Sequence, residues 1–209
     1  MLPTMLKFRL KSLFTLLAFL LLLAACDSTP PIRPLAPGAT VLAFGDSLTH
    51  GNGASAGQSY PAVLEKLLGV EVVNAGIPGE VSAAGLKRLP GVLERVQPQL
   101  VILIHGGNDF LRRLDSNQAR ENLRAMIEAC RQQGADVVLA GVPQPGLFLS
   151  PAPFYAELAE EYRLPLLDDT LSDILKDRSL KSDTIHPNAA GYRQIAQALA
   201  ELIRTAEGR

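Results

Sequence analysis

Beyond residue 38 the chain alternates two hydrophobic patterns. Short apolar runs fall at residues 41–44, 71–74, 100–104, 136–140 and 166–168, with the length and β-branched content of strands. Between them, residues 60–68, 82–96, 116–133 and 153–162, and finally 189–205, repeat apolar positions at helical spacing. Asn188 stands where the last helix needs an N-cap, and Gly134 where the third should stop. Five strands separated by helices, and apolar on both faces, predict a parallel sheet covered on both sides. The expected fold is α/β: a three-layer α/β/α sandwich with a five-stranded parallel sheet. In such sheets a site lies beyond the carboxyl ends of the strands, so the residues that follow each strand carry the functional information.

The first 38 residues follow a different pattern. Lys7, Arg9 and Lys11 form a basic start, and residues 13–23 are an apolar run that ends in Ala24 and Ala25. This is the order of a secretory leader, and the run is about half the roughly 20 apolar residues that a spanning helix requires. Leu23-Ala24-Ala25-Cys26 resembles a bacterial lipoprotein signal, which implies cleavage before Cys26 and acylation of that residue. Several acyl chains on one residue give stable membrane anchoring, at roughly 0.8 kcal/mol per buried CH₂. Residues 26–38 carry Pro30, Pro31, Pro34 and Pro37, a composition that favours extended chain and reads as a tether. The expected organisation is a leader over 1–25, a lipidated Cys and tether over 26–38, and one globular domain over 39–209. The location implied is the cell envelope facing the periplasm, and Asp27 after the Cys resembles an inner-membrane retention signal.

Composition narrows the function classes. With the leader removed, 17 basic residues face 21 acidic ones, a net charge of about −4. No Lys/Arg cluster supplies the footprint that nucleic-acid binding needs, so no nucleic-acid partner is expected. The chain has no Trp and 5% aromatic residues, which argues against a surface that stacks bases or sugars. Cys130 has no partner once Cys26 is acylated and lies on the apolar stripe Leu123, Met126, Ile127, Cys130, a core position. The domain is expected to be monomeric.

The first strand runs into Gly45-Asp46-Ser47-Leu48-Thr49-His50-Gly51, which puts a serine in a glycine-bounded turn at a strand's carboxyl end. A serine hydroxyl is a poor nucleophile without a base, and the chain has only His50, His105 and His186 to offer. His186 follows Asp183 by three residues in Asp183-Thr184-Ile185-His186-Pro187-Asn188. Asp183 can hold one ring nitrogen while the other takes the Ser47 proton, the division of labour in a Ser-His-Asp triad. His50 reads as a loop residue and His105 as a partly buried structural histidine. Acyl transfer also needs donors aimed at the developing oxyanion. Gly79 in Asn74-Ala75-Gly76-Ile77-Pro78-Gly79 can offer a bare N–H, Asn108 in Gly106-Gly107-Asn108-Asp109 an amide, and Ser47 its own N–H. Asp46 and Asp109 read as carboxylates that brace their loops against backbone N–H groups.

Rival patterns fail on context. Gly53-Ala54-Ser55-Ala56-Gly57 matches G-x-S-x-G, but Ser55 lies in a loop about ten residues past the first strand rather than between a strand and a helix. The glycines at 51 and 53 also fit part of a dinucleotide fingerprint, yet the second strand ends at Asn74 and not at an acidic residue. Three dispersed histidines with no Cys cluster give poor support for a metal site.

Taken in order, GDSLTHG, the NAGIPG glycine, GGND and DTIHPN resemble the Ser, Gly, Asn and His blocks of the GDSL/SGNH hydrolases, over residues 41–200. The resemblance implies a flavodoxin-like sandwich with Ser47 as nucleophile, Asp183 and His186 completing the triad, Gly79 and Asn108 as oxyanion donors, and no cofactor. The stretch GGNDFLRR and the short domain are similar to bacterial arylesterases and to the periplasmic thioesterase and lysophospholipase branch, which implies small-molecule or lipid acyl and aryl (thio)esters as substrates. The alternatives are an envelope carbohydrate O-deacetylase of the same family, or a non-catalytic nucleotide-binding or scaffold lipoprotein. Residues 147–155, LFLSPAPFY, are apolar enough either to cover an acyl group or to pack the next helix.

Overall fold

The computed structural model describes residues 29–146 and 149–209. The leader, Cys26, Asp27, Leu147 and Phe148 lie outside the described residues. In chain order the elements are β1 (Thr40–Gly45), α1 (Ser47–His50), α2 (Tyr60–Leu68), β2 (Glu71–Gly76), α3 (Ser82–Val96), β3 (Leu100–Ile104), α4 (Gly107–Leu111), α5 (Ser116–Gln132), β4 (Asp136–Ala140), β5 (Pro143–Gln144), β6 (Ser150–Pro151), α6 (Pro153–Tyr162), β7 (Leu166–Leu167), α7 (Thr170–Lys176) and α8 (Ala189–Ala206).

Five strands form one parallel sheet in the order β2-β1-β3-β4-β7. The central strands β1, β3 and β4 bury nearly every side chain, as a sheet covered on both faces requires. On one face α2 packs against α8; on the other α3 packs against α5. This is the three-layer α/β/α sandwich that the alternating pattern predicts. The order reverses between β1 and β3, and such a switch point opens a crevice beyond the carboxyl ends of those two strands. Their following residues, 45–51 and 105–109, therefore share one mouth.

Side chains set the element ends. Asn188 accepts from the N–H groups of Ala190 and Gly191 at 2.9 and 3.1 Å and starts α8 as an N-cap. Gly134, at φ 76°, turns the chain after α5 in a conformation that costs glycine nothing. Cys130 on α5 is fully buried, and that burial pushes its thiol up to about 12, as a core position implies.

The segment that the composition reads as a tether makes defined contacts with the domain. From Ile32 onward the proline-rich segment is docked. Ile32 N–H donates to the Ala206 carbonyl at 3.0 Å, Leu35 N–H to Glu207 Oε1 at 2.7 Å, and Ala36 N–H to Gln99 Oε1 at 3.1 Å. Gln99 Nε2 in turn donates to the Pro34 carbonyl at 2.8 Å, and Arg33 Nε reaches Asp136 at 3.0 Å. Composition correctly excludes a regular element here. It says nothing about side chains elsewhere that satisfy an extended backbone. All these partners lie at the amino ends of β3 and β4 or the end of α8, at the opposite pole of the sheet from the crevice.

Candidate active site

Gly45 ends β1 at a place that admits no side chain. A Cβ there would stand 2.1 Å from the Ile104 carbonyl oxygen and 2.3 Å from Thr49 Oγ1. Asp46 follows, accepts the Leu48 N–H at 3.0 Å, and caps the short helix α1. Ser47 is the first residue of that helix, so its own N–H belongs to the set without an intrahelical acceptor.

Ser47 Oγ lies 2.9 Å from His186 Nε2, and His186 Nδ1 lies 2.7 Å from Asp183 Oδ2. Asp183 Oδ1 accepts the backbone N–H groups of Ile185 and His186, each at 2.8 Å, which locks the Asp183–His186 loop into a single geometry. A carboxylate on Nδ1 keeps the ring proton there and leaves Nε2 as the acceptor facing the serine. Desolvation acts to raise Asp183, but the hydrogen bond from His186 and the two backbone donors outweigh it and hold the carboxyl below its usual range. The loop before α8 and the turn after β1 thus bring together three residues that the sequence reading paired.

The other two expected residues are near but differently occupied. Asn108, in α4, donates through Nδ2 to the Glu80 carbonyl at 3.0 Å and to Asp46 Oδ2 at 3.1 Å. Both of its amide hydrogens therefore have acceptors, and an oxyanion takes one only by replacing Asp46. Gly79, at φ 76°, precedes Glu80 in a turn closed by Glu80 N–H on the Ile77 carbonyl at 3.2 Å, and its own carbonyl accepts from Arg112 at 2.7 Å. Asp46 is 2% exposed, and desolvation raises its pKa against the partial relief from His105, Leu48 and Asn108. Asp109 accepts from Ser82 N–H at 2.8 Å and Ser82 Oγ at 2.6 Å. Each of these carboxylates braces a loop, as expected. Asp46 in addition holds Asn108.

A cavity of about 290 Å³ opens beside Ser47 and His186, lined by Asn108 and by apolar groups that include Leu111, Val142, Pro143, Leu149, Leu175 and Ile185. The apolar segment after β4 divides its work. Pro145, Gly146 and Leu149 face the cavity, whereas Phe154 and Tyr155 are buried in the core against Phe110 and His105. Leu175 comes from α7, which the sequence pattern does not announce because its seven residues hold too few turns for a period to show. His50 lies exposed at the end of α1 with Nδ1 on Asn52. His105 is fully rather than partly buried, and Ser55 is exposed before a single 3₁₀ turn, where no strand aims it.

The sequence matches the GDSL-like Lipase/Acylhydrolase family over residues 43–194, from within β1 to the start of α8, which takes in every group that lines the site. The chain belongs to that family. It is 33% identical over 173 residues to the thioesterase 1/protease 1/lysophospholipase L1 of Escherichia coli strain K12, covering 79% of this chain and 83% of the relative. An arylesterase of Vibrio mimicus is 31% identical over 172 residues, covering 77% and 86%. The crystal structure of TesA superposes with a TM-score of 0.72 at 30% identity, over 80% of this chain and 99% of that one. As a GDSL-like hydrolase, the protein cleaves ester bonds.

Proposed function

We propose that the protein is a serine esterase that hydrolyses acyl or aryl esters and thioesters through an acyl-enzyme. The observation that carries this reading is the Ser47–His186–Asp183 chain of hydrogen bonds, at 2.9 and 2.7 Å, at the wall of an apolar cavity. Ser47 Oγ attacks the carbonyl carbon while His186 Nε2 accepts its proton; the imidazolium is stabilised by Asp183 and returns the proton to the departing alcohol or thiol. Water then repeats the sequence in reverse and releases the acid. The oxyanion is received by the N–H groups of Ser47 and Gly79 and by Asn108, whose amide hydrogen leaves Asp46 as the negative charge forms. The chemistry of these steps requires no cofactor.

The names of the E. coli and Vibrio relatives support thioesters, lysophospholipids and aryl esters as the substrate range, and the mainly apolar lining supports an acyl chain in the cavity. Anchoring through Cys26 is part of the same proposal. The docked segment 32–36 then enters at the amino ends of the strands, and the cavity opens at the other pole. Such an arrangement favours esters that reach the site from the aqueous side over lipids embedded in the anchoring leaflet.

The test is hydrolysis of p-nitrophenyl acetate, butyrate, octanoate and palmitate by the full chain in mild detergent, beside Ser47→Ala. Turnover that peaks at medium or long chains and disappears in Ser47→Ala supports the proposal. Acetate-only turnover moves the reading to an O-deacetylase, and turnover that survives Ser47→Ala removes the nucleophile from it.

A further inference from the structure

Behind the oxyanion donors lies an ionic cluster that ester hydrolysis does not itself use. Glu80 has a side chain only 7% exposed. Arg88 of α3 grips its carboxylate with Nε on Oε1 at 2.9 Å and Nη2 on Oε2 at 2.6 Å. The same guanidinium donates to the Ala75 carbonyl at 3.1 Å and stacks 4.2 Å above the Phe44 ring. His105, fully buried at the end of β3, accepts the Gly106 N–H on Nδ1 at 3.0 Å, so its proton is on Nε2, directed at Glu80 Oε2 3.2 Å away. Desolvation opposes the Glu80 charge, but the hydrogen bonds from His105 and Arg88 and the Arg88 charge bring its pKa down to about 2.

A buried ion pair with these partners is seldom a gain in stability over packed apolar groups. Its location points to a different use. The Glu80 carbonyl holds one amide hydrogen of Asn108 at 3.0 Å, and the Glu80 N–H closes the turn that presents Gly79. Both proposed donors therefore hang from the backbone of a single residue. Its side chain is tied to α3 by Arg88, which also holds the Ala75 carbonyl at the end of β2, and to the end of β3 by His105.

We propose that Glu80, clamped by Arg88 and His105, is a positioning residue that sets the geometry of the Gly79 and Asn108 oxyanion donors. This inference rests on the serine-esterase reading. Holding one hydrogen of Asn108 on the Glu80 carbonyl directs the other toward Asp46 and the cavity, where the oxyanion takes it. Arg88 has a second effect. It neutralises the Glu80 carboxylate, so that this side chain adds no net negative charge behind the donors when the tetrahedral intermediate forms. A misplacement of about 1 Å costs roughly 10²-fold in rate, and loss of a donor about 10²- to 10³-fold.

The experiment compares Glu80→Gln, Arg88→Met and the double variant in the full chain. The readouts are kcat and KM on a p-nitrophenyl ester, thermal midpoint, and affinity for a trifluoromethyl ketone, whose addition to Ser47 creates an oxyanion. Glu80→Gln should lower kcat by roughly 10- to 100-fold with KM within about threefold, and weaken the ketone by a similar factor. Arg88→Met, which leaves the carboxylate uncompensated, should lose more, and adding Glu80→Gln to it should restore part of the loss. If Arg88→Met does not fold, Arg88→Lys, which keeps the charge but not the bidentate grip, takes its place and should fall between wild type and Glu80→Gln. Unchanged kcat and ketone affinity, or losses that track only a fall in thermal midpoint, overturn the positioning role. Ser47→Ala separates the two failures: turnover that survives it defeats the esterase reading, whereas its inactivity beside a fully active Glu80→Gln defeats only this inference.

Discussion

Replacing Asp183 with Asn isolates the tautomer argument, because the change is isosteric. The Asn oxygen can keep both backbone hydrogen bonds that Oδ1 now accepts at 2.8 Å, so the loop retains its shape. The amide nitrogen then faces His186 Nδ1 across the 2.7 Å now spanned by a carboxylate. Two donors cannot share that contact, so the ring proton moves to Nε2 and points at Ser47 Oγ. His186 then has no lone pair where the serine proton must go. In a buried serine-protease triad the equivalent change costs about 10⁴-fold in kcat. Here the Asp183 side chain is half exposed, at 52%, and water eases the exchange of tautomers and amide orientation. The expected loss is therefore roughly 10²- to 10⁴-fold, or about 3–5 kcal/mol of transition-state stabilisation. The assay is steady-state kinetics on p-nitrophenyl butyrate, with burst kinetics to show that acylation is the slowed step. A loss below about tenfold with an intact fold would refute the claim that Asp183 fixes the tautomer.

The pH dependence of stability has a definite sign at Glu80. Its folded pKa of about 2 lies below the ordinary 4.5, so its contribution is complete above roughly pH 5 and fades as pH falls toward 2. The gap in thermal midpoint between wild type and Glu80→Gln should accordingly narrow as pH falls from 6 to 3, and a constant gap would contradict the assignment. Deleting residues 29–37 removes the backbone bonds to Ala206, Glu207 and Gln99 and the Arg33–Asp136 pair, all remote from the cavity. At about 0.5–1.5 kcal/mol net per hydrogen bond, partly offset by the freedom regained, the midpoint should fall by roughly 3–8 °C with kcat/KM unchanged. An unchanged midpoint in differential scanning calorimetry would show that the segment is not held in solution.

The sequence by itself determined the framework. Short, β-branched apolar runs such as Leu100–Ile104 read as strands covered on both sides, and the stripes of α5 and α8 read as faces toward a core. The placing of Ser47, Asn108 and His186 just after or before such elements made the candidate site legible, because a parallel sheet gathers its strand ends. Local spacing sufficed for Asp183 and His186, which lie three residues apart. What it could not express were contacts between distant segments without a period or motif. Glu80, Arg88 and His105 come from the loop before α3, from α3 itself and from the turn after β3, and each alone looks like an ordinary surface charge or structural histidine. Only the packing of α3 against the sheet and α5 desolvates them and sets them on one carboxylate. The docking of residues 32–36 was hidden for the same reason: its partners Gln99, Asp136 and Glu207 stand 63 to 172 residues away along the chain. Chain pattern selects elements through burial, which is local and periodic. Tertiary structure decides which polar groups meet, because that depends on where the sheet brings them.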